Sequence, residues 1–334
     1  MALRRLLLVS VFLLGACDAP QLNLAGNAMG TTFNVSIVEP AETLNTDTLE
    51  ADIVSALTRI DLLASTWRTD SELSVFNADQ AIDWIIISPE FCDALTRTFE
   101  ISRQTGGAYD VTIGPLVNLW GFGPGGPVAA PPTDEAIEDA MQSVGYDKIE
   151  ADCPEGLVRK DVADMYVDLS GWAKGLAVDE LAVLLDANGV ANYLVEIGGE
   201  MRVKGYNSDK VDWAVGIEAP STSERVPQSI LRVTNTSVAT SGDYRNYFEH
   251  DGNHYSHTID PRTGRPITHN LAAVTVVHPS AAYADALATA LLVLGPTDGP
   301  ALATKLEIAA YFLVRNNGTV TEITTSAFDT LGTS

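Results

Sequence analysis

The sequence predicts an α+β fold with a mainly antiparallel sheet, built as a single large domain, on three observations. Short strand-like runs crowd residues 192 to 277, and they are punctuated by helical patterns without regular β-α-β alternation. Composition is that of a globular chain, with 46% hydrophobic and 19% charged residues over 334 positions. No repeat or low-complexity tract divides it, and the Gly- and Pro-rich stretch from Gly121 to Pro132 reads as a surface loop because helical pattern resumes at Thr133.

In chain order, Arg4 and Arg5 precede an apolar run from Leu6 to Leu14 that is too short for a stable span, and Leu14-Gly15-Ala16-Cys17 follows at once. This pattern resembles a bacterial lipobox, which implies a signal peptide over 1–16, lipid on Cys17 and a tether over 17–27 ahead of a domain over 28–330. Asp18 resembles the signal for retention at the inner membrane, so the expected location is lipid-anchored on its periplasmic side. Phe33, Val35 and Ile37 alternate as a strand over Thr31 to Val38, and Leu49, Ile53, Leu57 and Ile60 predict a helix over 47–64. The polar run Ser65 to Ser74 reads as a loop. Ser88-Pro89-Glu90 starts a helix that continues to Gly106, and Thr133 to Val144 predicts another. Strands are expected near 146–150, 157–159 and 164–169, followed by a helix from Gly171 to Asn188. Then come strands at 192–197, 201–204, 213–218, 230–233, 237–241, 245–250, 254–259 and 271–277, with closing strands at 309–314 and 319–323 beyond a helix near 297–305.

The formal net charge is −24, and loss of Arg4 and Arg5 with the leader takes it to about −26, so nucleic acid is not an expected partner. A phosphate-bearing ligand would need a cation or local positive groups to offset that field. Cys92 and Cys153 can pair outside the cytoplasm or stay as buried thiols, and their spacing does not choose. Cys and His clusters for zinc are lacking.

Ser280 to Gly295 predicts a helix with Ser280 as cap and Gly295-Pro296 as stop. Nearly every side chain between is small or apolar, so Asp285 is a carboxylate that burial penalises unless it is paired or metal-bound. Thr289, four residues on, shares its helix face, and the two oxygens suit a hard cation such as Mg²⁺. The alternative is an Asp that caps a neighbouring loop.

Five polar islands interrupt these elements: Met29-Gly30-Thr31; Gly106-Gly107-Ala108-Tyr109-Asp110-Val111-Thr112 with Gly114-Pro115-Leu116; Asp168-Leu169-Ser170-Gly171-Trp172-Ala173-Lys174-Gly175; His257-Thr258-Ile259-Asp260-Pro261 with Thr263-Gly264-Arg265-Pro266; and the Asp285/Thr289 helix. The third sits where an expected strand turns into a helix, a place where backbone N–H groups, a glycine and Lys174 would let a phosphate approach. With Ser71-Glu72-Leu73-Ser74, Glu196-Ile197-Gly198-Gly199-Glu200 and Thr240-Ser241-Gly242-Asp243-Tyr244, and in this order, the islands resemble the ApbE family of FAD:protein FMN transferases over most of the mature chain.

The resemblance implies transfer of FMN from FAD to a Thr or Ser hydroxyl of a protein, with Mg²⁺ bound and AMP released. It implies that Met29, Trp67, Ala108, Tyr109, Asp110, Lys174, His257, Thr258 and Ile259 line the FAD site, with Trp67 where many relatives have Tyr. The Gly171 carbonyl, Asp285 and Thr289 match its metal ligands. His257, with an ordinary pKa near 6.5, suits a general base beside catalytic Asp285, or else only contacts flavin. The implied partner is an extracytoplasmic acceptor flavoprotein, such as a Na⁺-pumping or electron-transport subunit. Rival readings are an FAD pyrophosphatase, in which water replaces the acceptor, and a non-catalytic flavin- or solute-binding lipoprotein.

Overall fold

The computed structural model describes residues 19–220, 227–244, 246–316 and 318–331. The segment 1–16 expected to be a leader, Cys17, Asp18 and Arg245, where one strand was expected to begin, lie outside these residues. Eight strands form the central sheet: β1 (Gln21–Ala28), β2 (Thr31–Val38), β3 (Tyr193–Ile197), β4 (Glu200–Lys204), β5 (Thr236–Gly242), β6 (Leu271–His278), β7 (Ala309–Asn316) and β8 (Thr319–Thr324). They lie side by side in chain order with every neighbouring pair antiparallel.

The helices are α1 (Thr46–Ala64), α2 (Glu72–Ala78), α3 (Pro89–Gln104), α4 (Gly114–Leu119), α5 (Asp134–Met141), α6 (Ser170–Ala187), α7 (Ala281–Lys305) and α8 (Ser326–Asp329). α6 and α7 pack together on one face of the sheet, and α1 covers α6. β6 is apolar along nearly its whole length because both of its faces are buried. Val274 and Val276 of β6 join the cluster under α6 and α7. Ala273 and Val277 face the other way, against Trp213, Val215 and Leu231 of the ribbon Trp213–Glu218/Pro227–Val233. A third cluster around Trp120 and Ile259 seats the hairpin Tyr247–His250/Asn253–Ser256, with Tyr255 5.6 Å from Trp120 between ring centres. Cys92 of α3 is joined to Cys153 by a disulfide, which decides the pairing that spacing left open.

Ser280 caps α7 by accepting the Tyr283 N–H, and the helix breaks at Gly295, whose φ of 79° only glycine adopts freely, so two helices follow one another as the sequence predicted. By length and composition α7 could cross a membrane, yet its first half is packed inside the protein.

Five expectations are corrected. Most of the supposed tether is β1, an edge strand on which only Leu24 is buried, so its polar sequence hid its pairing with β2. Met29 and Gly30 form the two-residue turn between them, both at positive φ. The polar loop over 65–74 ends early, because Ser71 accepts the Ser74 N–H at 3.0 Å and starts α2. Asp164 lies in a turn and residues 165–169 belong to no strand or sheet; the side chain of Asn77 takes the ladder's place, bonding Val167 N at 2.7 Å and Val167 O at 2.8 Å. The strand expected over 254–259 divides into Asn253–Ser256 and Ile259–Asp260, and the one near 146–150 opens as a 3₁₀ turn before Ile149–Asp152.

Candidate active site

A cavity of about 860 Å³ opens where the first turn of α6, the β3–β4 turn, β5, the middle of α7 and the loop after the 247–256 hairpin converge. Trp67, Ala108, Tyr109, Asp110, Gly171, Lys174, His257, Thr258, Ile259, Asp285 and Thr289 all line it. Met29 does not; it packs against the core at the β1–β2 turn, and Thr31 reaches the cavity instead. Trp67, 70% exposed, offers its ring at the rim.

The floor is a carboxylate–ammonium–carboxylate cluster. Lys174 Nζ lies 3.0 Å from Glu200 Oε1 and 3.5 Å from Asp285 Oδ2, and both acids are 4% exposed. Burial pushes the Asp285 carboxyl up, opposed by Lys174 and by the Gly175 N–H that it accepts. Burial likewise pushes Glu200 up to about 7 against the pull of Lys174. Burial works against the Lys174 ammonium, but Asp285 and Glu200 outweigh it and hold the group above its ordinary range. Glu200 Oε2 is buried and has no hydrogen-bond partner among the described residues. Two acids around one ammonium leave the floor with an excess of negative charge when ionised, which is the condition a bound cation relieves.

Beside this cluster, Tyr109 Oη donates to the Gly171 carbonyl at 3.3 Å, and burial holds that phenol protonated. Gly171 sits at a kink in the first turn of α6, and a Cβ there would lie 3.4 Å from Thr289 Oγ1. Thr289 Oγ1 is 3.1 Å from Ser241 Oγ. The Gly171 backbone, Thr289 and Asp285 therefore come together from residues more than a hundred positions apart. Among the described residues no three His, Cys, Asp or Glu side chains cluster as a metal site, so a cation here would rest on one carboxylate with hydroxyl and carbonyl oxygens.

Asp110 lines the cavity but its oxygens are committed: Oδ1 accepts Thr112 N and Oγ1 at 2.9 and 2.7 Å, and Oδ2 accepts Tyr146 N at 2.9 Å. His257 Nδ1 is 2.9 Å from the Asn246 carbonyl, which can only accept, so the ring proton sits on Nδ1 and Nε2 keeps its lone pair. Burial pushes the His257 pKa below its ordinary value of 6.5, opposed by the Asn246 bond and Asp243, so the ring is neutral near pH 7. Phe122 stands edge-on to it at 6.3 Å.

Sequence reasoning gave no role to Glu200, Asn246 or Phe122. Glu200 was quoted in Glu196-Ile197-Gly198-Gly199-Glu200, and the signal that would have singled it out is a glutamate opening a strand straight after a Gly-Gly turn, where it pairs with Ile197.

These features define a single-domain α+β protein whose cleft joins an aromatic rim to a buried, acid-rich floor and an unprotonated imidazole nitrogen. The chain belongs to the ApbE family, which it matches over residues 29–312. It is 41% identical to the FAD:protein FMN transferase of Vibrio cholerae over 323 residues, 96% of each chain, and 40% identical to that of Haemophilus influenzae, covering 95% of this chain and 94% of that one. Among solved structures it superposes on the flavin transferase ApbE from Vibrio cholerae with a TM-score of 0.87 at 39% identity, covering 94% of this chain and 99% of that one. The apo flavinyl transferase ApbE of Pseudomonas stutzeri gives the same TM-score and identity over 96% and 99%.

Proposed function

We propose that this chain transfers the FMN half of FAD to a Thr or Ser hydroxyl of another protein and releases AMP. The observation that carries the reading is one cleft of about 860 Å³, in the size range of small-molecule sites, that brings Trp67, His257 and the Asp285–Lys174–Glu200 floor onto a common space. The names of the relatives support the same chemistry.

In this reading the flavin stacks against Trp67, and the pyrophosphate lies over the floor, where Lys174 supplies positive charge in a chain of net charge −24. The acceptor's hydroxyl oxygen forms a bond to the FMN phosphorus as the bond from that phosphorus to the AMP oxygen breaks. His257 Nε2 takes the hydroxyl proton while Asn246 fixes the ring through Nδ1. Asp285, Thr289 and the Gly171 carbonyl would hold Mg²⁺, a set of hard oxygens with a single carboxylate that leaves room for phosphate and water. When bound, the ion neutralises pyrophosphate charge.

We also propose that the chain is anchored by lipid on Cys17 at the periplasmic side of the inner membrane. The Leu14-Gly15-Ala16-Cys17 motif supports this, as does the Cys92–Cys153 disulfide, a bond that persists outside the cytoplasm. Cys17→Ser should yield a soluble protein, and its retention by salt-washed membranes would refute the anchor.

Incubating the purified protein with FAD, Mg²⁺ and the organism's membrane fraction should produce flavin-fluorescent protein bands that survive denaturation, with AMP in equal amount. Free FMN with no labelled protein would instead establish a pyrophosphatase. FAD returned intact would leave a binding protein.

A further inference from the structure

Glu200 is a buried acid of the cleft whose position the transfer chemistry leaves unexplained. It opens β4, is 4% exposed and lines the cavity, yet among the described residues Oε2 has no hydrogen-bond partner, while Oε1 meets the Lys174 ammonium at 3.0 Å. That ammonium is also 3.5 Å from Asp285 Oδ2. Lys174 thus stands between two buried acids, closer to the one with no assigned task. An ammonium ion and a divalent cation compete for the same carboxylate, and the winner is set by what other counter-ion the ammonium can reach.

Resting on the cation reading above, we propose that Glu200 is a positioning residue that draws Lys174 away from Asp285 and so keeps that carboxylate open to a divalent cation. Without the Glu200 charge, Asp285 becomes the only buried acid within reach of Lys174 among the described residues, and a cation must displace the ammonium to bind. Glu200 also gives the displaced ammonium a partner once Asp285 is occupied. Its own direct attraction for the cation is separable, because that attraction does not depend on whether Lys174 is present.

The test uses the full chain and Mn²⁺ alone, with the free ion followed by its electron paramagnetic resonance signal and folding checked by circular dichroism. Glu200→Gln keeps the shape of the side chain and should weaken Mn²⁺ binding. Lys174→Met should strengthen binding, and the gain should be about tenfold larger in the Glu200→Gln background than in the wild-type background, the coupling expected of groups in one ion-pair network. Glu200→Asp keeps the charge but withdraws it by one methylene, so it should bind more weakly than wild type and more tightly than Glu200→Gln. Equal gains from Lys174→Met in both backgrounds, or wild-type affinity in Glu200→Asp, would reduce Glu200 to a distant charge and overturn the proposal. A wild-type chain that takes up no Mn²⁺ would sink the cation reading itself.

Discussion

Adding one methyl group at Gly175 should part the two helices that carry the floor of the cleft. Gly175 lies on α6 directly after Lys174 and faces the start of α7, where a Cβ would sit 2.4 Å from Ala281 O and 2.5 Å from Ala282 Cα. Both obstacles are backbone atoms of a packed helix, so no side chain can swing aside. Carbon contacts settle near 3.5 Å, so α6 and α7 must separate by about 1 Å in Gly175→Ala. Overpacking of this kind costs about 1–3 kcal/mol, and a backbone obstacle puts the cost toward the upper end. The functional loss should be larger than the stability loss, because Lys174 and Asp285 ride on these helices and Asp285 accepts the Gly175 N–H. A misplacement of about 1 Å can lower a rate by about 10²-fold. Urea unfolding measures the first effect, and the rate of acceptor labelling at saturating FAD measures the second. Gly125→Ala is the control, since its Cβ would meet nothing within 4 Å and should change stability by less than about 0.5 kcal/mol. If Gly175→Ala matches Gly125→Ala in both assays, the close approach of α6 and α7 does not set the geometry of the floor.

Asp285→Asn should abolish Mg²⁺-dependent labelling, a loss of about 10³-fold or more, while the protein stays folded and no less stable without added metal, because Lys174 keeps Glu200 as its partner; labelling at the wild-type rate would remove Asp285 from the reaction. Replacing both Cys92 and Cys153 by Ser opens a crosslink across 61 residues and should lower unfolding free energy by about 4 kcal/mol, measured by urea unfolding of the variant and of reduced wild type. His257→Asn should keep most FAD affinity but slow labelling by about 10²- to 10⁴-fold. Because the base must be unprotonated and burial lowers its pKa, the wild-type rate should rise with pH and level off below 6.5, while the variant should still climb above that point. Full recovery of the variant at saturating FAD, with no change in pH profile, would assign His257 to flavin contact alone.

The elements that were legible in the sequence are those whose own side chains decide their burial. The first half of α7 is small and apolar between Ser280 and Gly295, and no neighbour was needed to predict it. β1 was missed because an edge strand with Leu24 as its sole buried residue carries almost no period-2 signal; its order comes from β2. Residues 164–169 fail in the opposite way. Met165, Val167 and Leu169 are all fully buried and alternate as a strand should, but Asn77, ninety positions away, satisfies the backbone that a sheet would otherwise pair. Alternation reports burial, and burial does not require a ladder.

The same distinction separates the two halves of the candidate site. Asp285 was conspicuous because an ionisable group in an apolar helix contradicts its surroundings, and physical chemistry demands a partner for it. Glu200 was inconspicuous because a glutamate beside a turn contradicts nothing. It becomes a site residue only when the antiparallel order places β4 against the start of α6, which brings it to Lys174 from 26 positions away, while Asp285 reaches the same ammonium from 111. Gly175 shows a cause that the sequence does not carry. It closes the island where the strand-to-helix junction was read as a place for a phosphate to approach, and in the fold its missing side chain admits Ala281 and Ala282. Its contribution to ligand binding is therefore indirect: by letting α7 approach α6, it lets one buried carboxylate and one ammonium share a floor that neither helix could build alone.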